Sequence, residues 1–120
     1  MNAPVDLRKR LRSFALAIIP LYGSLPKTGE AQVIGRQLLN SGTSAGAHHR
    51  EAHRARSNAE FISKMEGGLQ ELDETDYWLD LLVAGKITTA DLARDLIKEA
   101  NELIAIFTAS VKTAKRNRRA

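Results

Sequence analysis

The sequence contains no cysteine, which excludes disulfide bonds, a thiol nucleophile and thiolate metal ligands. Aromatic residues make up only 5% of the chain, so few rings are available to stack on the bases of a nucleic acid. No apolar run approaches the ~20 residues that a helix needs to cross a bilayer. The first residues also lack a signal-peptide pattern, so we expect a cytoplasmic protein with no membrane partner.

Motifs for the common catalytic and cofactor sites are missing as well. The segment from Gly42 to Gly46 has no lysine where a phosphate-binding loop requires one, and no strand precedes it. His49 and His53 lie at i and i+4 on one helical face, but a zinc site needs a third ligand. The paired Glu-x-x-His motifs of di-iron bundles are also absent. The sequence therefore predicts no enzyme, no cofactor and no metal site.

The composition is that of a small globular domain. The chain has 120 residues, of which 43% are hydrophobic and 27% are charged. These values indicate one folded domain rather than a disordered chain. At this length, folding should bury roughly 65% of the surface of the unfolded chain, which is enough for a substantial core.

Apolar residues recur every three to four positions, which indicates amphipathic helices, and no lasting period-two alternation indicates strands. We predict four helices, at about residues 6–22, 28–56, 58–84 and 89–114. Ser57 with Glu60 forms a capping box for the third helix, and Thr88 with Asp91 is expected to open the fourth. Short connections favour an all-α, antiparallel up-and-down four-helix bundle over residues 1–115, followed by a basic tail at residues 116–120.

Two of these helices contain residues that weaken a helix. Pro20 cannot donate a backbone hydrogen bond, so we expect a kink or an early end there. Gly35, Gly42 and Gly46 each reduce the stability of the second helix by up to ~1 kcal/mol relative to alanine. Their small size would let another helix come close. The alternative is a loop through residues 41–44 that divides the segment into two helices.

Positive charge is unevenly distributed along the chain. The 18 Lys and Arg residues exceed the 14 Asp and Glu residues, which gives a net charge of +4. Basic residues cluster around Arg8–Arg12, after the middle of the second helix and at the C-terminus. Such clusters suit a polyanion partner, and the alternative is a solvated surface that keeps the protein soluble. The candidate nucleic-acid-binding residues are Arg50, Arg54, Arg56, Lys112, Lys115, Arg116, Arg118 and Arg119.

The third helix has more apolar surface than one core can absorb. Between residues 77 and 83 the apolar side chains are nearly consecutive, so they point to all sides of the helix. We expect the surplus face to meet a second surface, in another subunit. The candidate interface residues are Glu71, Glu74, Trp78 and Leu81.

Several short motifs, taken in order, resemble one bacterial family, the 23S rRNA intervening-sequence proteins. The resemblance extends over roughly residues 11–115. It rests on segments such as Arg36-Gln37-Leu38-Leu39, Ser41-Gly42-Thr43-Ser44, Arg50-Glu51-Ala52, Glu60-Phe61-Ile62-Ser63-Lys64 and Tyr77-Trp78-Leu79. The chain departs from the family pattern at Pro20, at His48 and His49, and at Gly67-Gly68.

The resemblance implies a left-handed four-helix bundle that assembles into a ring-like homopentamer. Accessory proteins of diversity-generating retroelements are similar in fold and assembly, and they bind nucleic acid and a reverse transcriptase through basic surfaces. By this analogy we expect a non-catalytic oligomer that binds RNA, in preference to DNA, mainly through electrostatic contacts. The alternative is an oligomeric scaffold or adaptor that binds a protein partner.

Overall fold

The computed structural model describes the backbone of residues 6–119 and the side chains of residues 6–117. It contains four helices: α1 (Leu7–Gly23), α2 (Gly29–His53), α3 (Asn58–Ala84) and α4 (Ala90–Arg119). They form the predicted all-α four-helix bundle, in which consecutive helices pack against each other. The α2–α3 contact is the most extensive and the α1–α4 contact is the least extensive.

Polar side chains cap all four helices, and Ser57 caps the third as the sequence predicts. Asp6 accepts a hydrogen bond from the backbone N–H of Lys9, and Ser57 accepts one from that of Glu60, both at 3.1 Å. At the fourth helix the prediction was wrong by one residue, because Thr89 rather than Thr88 is the cap and accepts from the N–H of Leu92. The N–H of Thr88 instead donates to the carbonyl of Leu82 and closes the preceding turn.

Two predicted helix ends differ from the structure. α2 ends at His53 instead of residue 56, because Ser57 must be extended (φ −153°, ψ 161°) to cap α3. Residues 54–56 therefore form the turn between the two helices. α4 continues to Arg119, so residues 116–119 of the predicted tail are helical. Neither proline nor glycine interrupts this segment, and its positive charges are favourable at a helix C-terminus.

The residues expected to weaken α1 and α2 do not break them. α1 continues three residues past Pro20, and the N–H of Ser24 donates to the carbonyl of Pro20 at 3.0 Å. α2 passes through residues 41–44 without interruption, so the alternative of a loop there was wrong. A Cβ atom on Gly42 would lie 2.9 Å from Cγ1 of Ile18, which shows that the absent side chain lets α1 pack closely on α2.

The core lies along the middle of the bundle and receives side chains from all four helices. A buried polar contact crosses it, because Oγ1 of Thr75 on α3 lies 2.8 Å from Oγ of Ser41 on α2. The fully buried side chains include Leu11, Ile18, Leu38, Met65, Leu72, Leu79, Leu82, Leu103 and Phe107.

Candidate nucleic-acid interface

The antiparallel arrangement brings four chain segments to one end of the bundle. The start of α3 lies beside the last turns of α4, since the Asn58 amide donates to the Ala114 carbonyl at 2.9 Å. The start of α1 lies beside the second half of α2, where a Cβ on Gly46 would be 3.6 Å from Cβ of Leu11. We call this part of the bundle, formed by residues 6–15, 44–71 and 104–119, the basic end.

Charge divides the bundle into two unlike halves. The basic end contains thirteen Lys and Arg residues against five Asp and Glu residues, a net charge of +8. The rest of the chain contains five Lys and Arg residues against nine Asp and Glu residues, a net charge of −4. A field of this kind attracts a polyanion to one end and repels it from the other.

Two of the carboxylates at the basic end already have partners. Lys64 donates to Glu51 at 2.7 Å, and this hydrogen bond is the main reason that the pKa of Glu51 is lowered. Lys115 donates to Glu66 at 3.1 Å. Arg10 is held by carboxylates of the other half, with Nε donating to Glu99 at 3.0 Å. Arg10 and Lys115 are therefore less available to an external anion than their unpaired neighbours.

Three arginines line a groove between α1 and α2. Arg8 and Arg12 lie one turn apart on α1, and Arg50 faces them from α2. The groove has a volume of about 270 Å³, and Gly46 and Ala47 form part of its wall. Within the described residues, no carboxylate lies within 4.0 Å of these three guanidinium groups. We call this feature the arginine groove.

The structure places the predicted nucleic-acid-binding residues at the same end, in two groups. Arg50, Arg54 and Arg56 are exposed at the end of α2 and in the following turn. On α4, Lys112 and Arg116 are exposed, whereas Lys115 is half-buried and ion-paired. The side chains of Arg118 and Arg119 lie outside the described residues.

Arg8 and Arg12 were not among the predicted contacts, although their cluster was visible in the sequence. Their i, i+4 spacing places them on one face of α1. Only the packing of α1 against α2 shows that this face meets Arg50.

The predicted oligomer interface forms one stripe along α3. Glu71, Glu74, Trp78 and Leu81 are all half-buried. Burial and the nearby charge of Glu74 raise the pKa of Glu71. Beside them Tyr77 is 55% exposed, with its ring centroid 5.1 Å from that of Trp78.

A second apolar surface was not predicted from the sequence. A groove of about 520 Å³ runs between α1 and α4, where those helices make their sparse contact. Phe14, Leu21 and Leu96 line it, and so does Leu92, which is 60% exposed. Sequence periodicity could not indicate this groove, because the same residues would be buried if α1 and α4 packed more closely.

Two of the three histidines are in contact at the basic end. The rings of His49 and His53 meet edge to face with centroids 4.3 Å apart, and His49 is almost completely buried. Burial is the main cause that lowers the pKa of His49 to about 4, with further contributions from His53 and Arg8. No cluster of three or more His, Asp or Glu side chains suited to holding a metal ion occurs in the part of the chain that the structure describes.

None of the four helices, within the described residues, combines the length and the apolar character needed to cross a membrane.

Comparison with known proteins identifies the family. A family model described as 23S rRNA-intervening sequence protein matches residues 5–109. The chain belongs to this family. A protein of unknown function from Bacteroides thetaiotaomicron VPI-5482, assigned to the S23 ribosomal protein family, has a similar crystal structure. It is 34% identical, with a TM-score of 0.81, and the match covers 88% of this chain and 94% of the other. No curated protein matches the chain.

Membership in the 23S rRNA-intervening sequence family confirms the resemblance that the sequence motifs indicated. The similar structure supports the same fold over most of the chain. Neither comparison indicates a catalytic family.

Proposed function

We propose that this protein is a non-catalytic homo-oligomer, a pentamer, that binds RNA or DNA through the basic end. The observation that carries this proposal is the division of charge, with +8 at one end of the bundle and −4 over the rest. Within the basic end, Arg8, Arg12 and Arg50 form a groove without carboxylate partners in the described residues. Guanidinium groups of this kind bind phosphate oxygens through two parallel hydrogen bonds.

Oligomerisation would strengthen a contact that is weak in a single copy. Each subunit would supply one arginine groove together with Arg54, Arg56, Lys112 and Arg116. Because the sites are linked, binding at one raises the effective concentration of nucleic acid at the others. The interaction should release counterions and therefore weaken steeply with salt. Contacts to phosphate groups do not depend on base sequence, and we propose RNA ahead of DNA as the partner.

The test is RNA binding at several salt concentrations, measured by fluorescence anisotropy. Replacing Arg8, Arg12 and Arg50 together by Ala should abolish most binding at moderate salt and lower the slope of log Kd against log salt by about 2. The matched control replaces Lys27, Arg36 and Lys98, which are exposed basic residues in the other half, and removes the same charge. If both triple variants weaken binding equally, only the net charge matters and the assignment to the arginine groove is wrong.

The oligomer is tested separately by size-exclusion chromatography with light scattering. Leu81→Asp should give smaller species that keep their helix content, because the charge would lie on the half-buried α3 stripe. Leu92→Asp is the matched variant at the α1–α4 groove. Loss of assembly only in the Leu92 variant would move the interface to that groove, and a monomeric wild type at micromolar concentration would contradict the oligomer.

A second candidate function, a scaffold or adaptor for a protein partner, is favoured by the apolar α1–α4 groove. Its volume of about 520 Å³ and the exposed Leu92 suit an amphipathic helix laid along the groove. One stoichiometric protein retained by the wild type after nuclease treatment, and lost with Leu92→Asp, would support this function.

A further inference from the structure

A second cavity opens at the basic end, next to the arginine groove. It has a volume of about 530 Å³, within the range of small-molecule sites. It lies where α1 and α3 begin and where α2 ends, and α4 contributes Ser110, so all four helices take part. The residues that line it are Asp6, Leu7, Arg8, His49, His53, Phe61, Met65 and Ser110. We call it the histidine pocket.

One wall of this pocket carries a polar group that the protein leaves unsatisfied. His49 is only 2% exposed, and its Nδ1 has no hydrogen-bond partner among the described residues. A buried polar atom without a partner destabilises a fold by about 1–3 kcal/mol, so it calls for an explanation. Asp6 also lines the pocket, but its carboxylate accepts from the backbone N–H of Lys9 and is not a hydrogen-bond partner of His49 Nδ1. Since the pKa of His49 is about 4, its ring is neutral at pH 7 and offers one donor and one acceptor.

The remaining walls suit a flat, partly apolar ring. His53 and Phe61 present rings whose centroids are 6.5 Å apart, and Leu7 and Met65 add apolar surface. Ser110 adds a hydroxyl group. Nucleobases have this combination of an apolar face and a hydrogen-bonding edge, and unpaired bases bind proteins by stacking on aromatic side chains while their edges form hydrogen bonds.

Arg8 joins this pocket to the arginine groove, since its side chain lines both. A ligand held at both places needs an anionic group for the groove and a flat ring for the pocket, a short distance apart. We propose that the basic end binds one unpaired nucleotide of a single strand, with its base in the histidine pocket and its phosphate on Arg8, Arg12 and Arg50. This inference rests on the proposed function and adds that single strands are preferred over duplexes, whose bases are not free to enter.

The experiment compares a fluorescent single-stranded RNA with the duplex of the same sequence, at one salt concentration. His49→Leu removes the hydrogen-bonding groups while keeping an apolar side chain of similar size. Ser110→Trp places a large ring in the pocket and blocks it. Each should weaken single-strand binding about tenfold and leave duplex binding unchanged, because only the single strand supplies a free base. Circular dichroism and thermal unfolding verify that both variants fold.

A 2-aminopurine base in the strand provides an independent signal. Its fluorescence should change when the wild type binds and should not change with Ser110→Trp. Wild-type affinity for the single strand in both variants would overturn the inference. So would competition by a free nucleoside monophosphate at the same concentration as the oligonucleotide, which would assign the pocket to free nucleotides.

A failure of the pocket inference can be distinguished from a failure of the proposed function. If the triple replacement of Arg8, Arg12 and Arg50 abolishes binding of both RNA forms while the pocket variants change neither, only the pocket inference is wrong. If the wild type binds neither RNA form, the proposed function itself is wrong.

Discussion

Gly68 on α3 lies directly against the ring of Phe107 on α4. A Cβ atom on Gly68 would be 2.7 Å from Cε2 of Phe107, which is closer than real Cβ atoms approach a carbon. Phe107 is fully buried, so its ring is surrounded by other parts of the protein. The glycine that weakens α3 in isolation is therefore what allows α4 to pack on it.

This contact leads to a prediction about two glycine substitutions. Gly68→Ala should lower the free energy of unfolding by about 1–3 kcal/mol, because the overpacking exceeds the gain in helix propensity. Gly46→Ala is the matched control within a helix, since its Cβ would lie 3.6 Å from Leu11, an ordinary contact. It should be neutral or stabilise by up to ~1 kcal/mol. Urea unfolding measures both, and equal effects would contradict the packing argument.

The burial of His49 predicts a stability that depends on pH. The pKa of this group is about 4 in the folded state and near 6.5 in the unfolded chain. Above pH 6.5 the imidazole of His49 is neutral in both states, so its titration does not lower the stability. As the pH falls from 6.5 to 4, His49 becomes protonated in the unfolded chain but not in the folded state, and up to about 3 kcal/mol of stability is lost.

Unfolding by urea at several pH values between 7.5 and 4 checks this prediction. His49→Leu should flatten the loss between pH 6.5 and 4 and should not be less stable at pH 7.5, because it removes an unsatisfied polar group. His53→Ala removes a ring that contacts His49 and one of the causes of its low pKa, so it should reduce the pH dependence without abolishing it. A wild-type curve that is parallel to that of His49→Leu would refute the assignment.

The buried hydroxyl pair of Ser41 and Thr75 should behave as a coupled unit. Thr75→Val leaves the Ser41 hydroxyl with only its long hydrogen bond, 3.4 Å, to the Leu38 carbonyl and should destabilise the protein by about 1–3 kcal/mol. Ser41→Ala should have less effect, since Thr75 Oγ1 also lies 2.8 Å from the Glu71 carbonyl. The double variant should be less unstable than the sum of the single ones, as a double-mutant cycle would measure. Additive effects would mean that the contact contributes nothing.

The ion pair of Arg10 with Glu99 links α1 to α4, the least extensive contact in the bundle. Hydrogen bonding to Glu99 is the main cause that raises the pKa of Arg10. The two side chains are 32% and 27% exposed, so solvent reduces the gain. Arg10→Met should lower stability by about 1 kcal/mol or less, with a smaller effect at high salt.

Lys64→Met is the control for this substitution, because it breaks a more exposed pair with Glu51. It should have no measurable effect on thermal unfolding. Screening differs strongly between roughly 0.05 M and 1 M salt. If Arg10→Met lowers the free energy of unfolding equally at both concentrations, the contribution of the ion pair is not electrostatic.

Most of the fold could be predicted from the sequence, because local patterns determine it. The three- to four-residue spacing of apolar side chains gave four helices, and capping residues such as Ser57 gave their starts. The errors occurred where local signals compete. At Thr88 and Thr89 two adjacent residues could cap α4, and at residues 41–44 poor helix formers could have made a loop. At residues 41–44 the close packing of Gly42 on Ile18 favours the helix. At Thr88 the backbone hydrogen bond to Leu82 places this residue in the preceding turn.

The candidate site could be predicted only in part. Clusters of arginine are visible along the chain, and Arg50, Arg54 and Arg56 are exposed as an interface requires. The partner residues Arg8 and Arg12 come from a helix about forty residues earlier. No spacing in the sequence indicates that they share a groove with Arg50.

The sequence by itself determined the four helices, their apolar faces and the number of charges of each sign. Only the tertiary structure decided where those charges and polar groups meet. The antiparallel packing collected thirteen basic residues at one end and buried His49 beside a pocket formed by all four helices. The physical reason is that helix formation depends on neighbours within four residues, whereas an electrostatic field or a pocket depends on distances across the bundle.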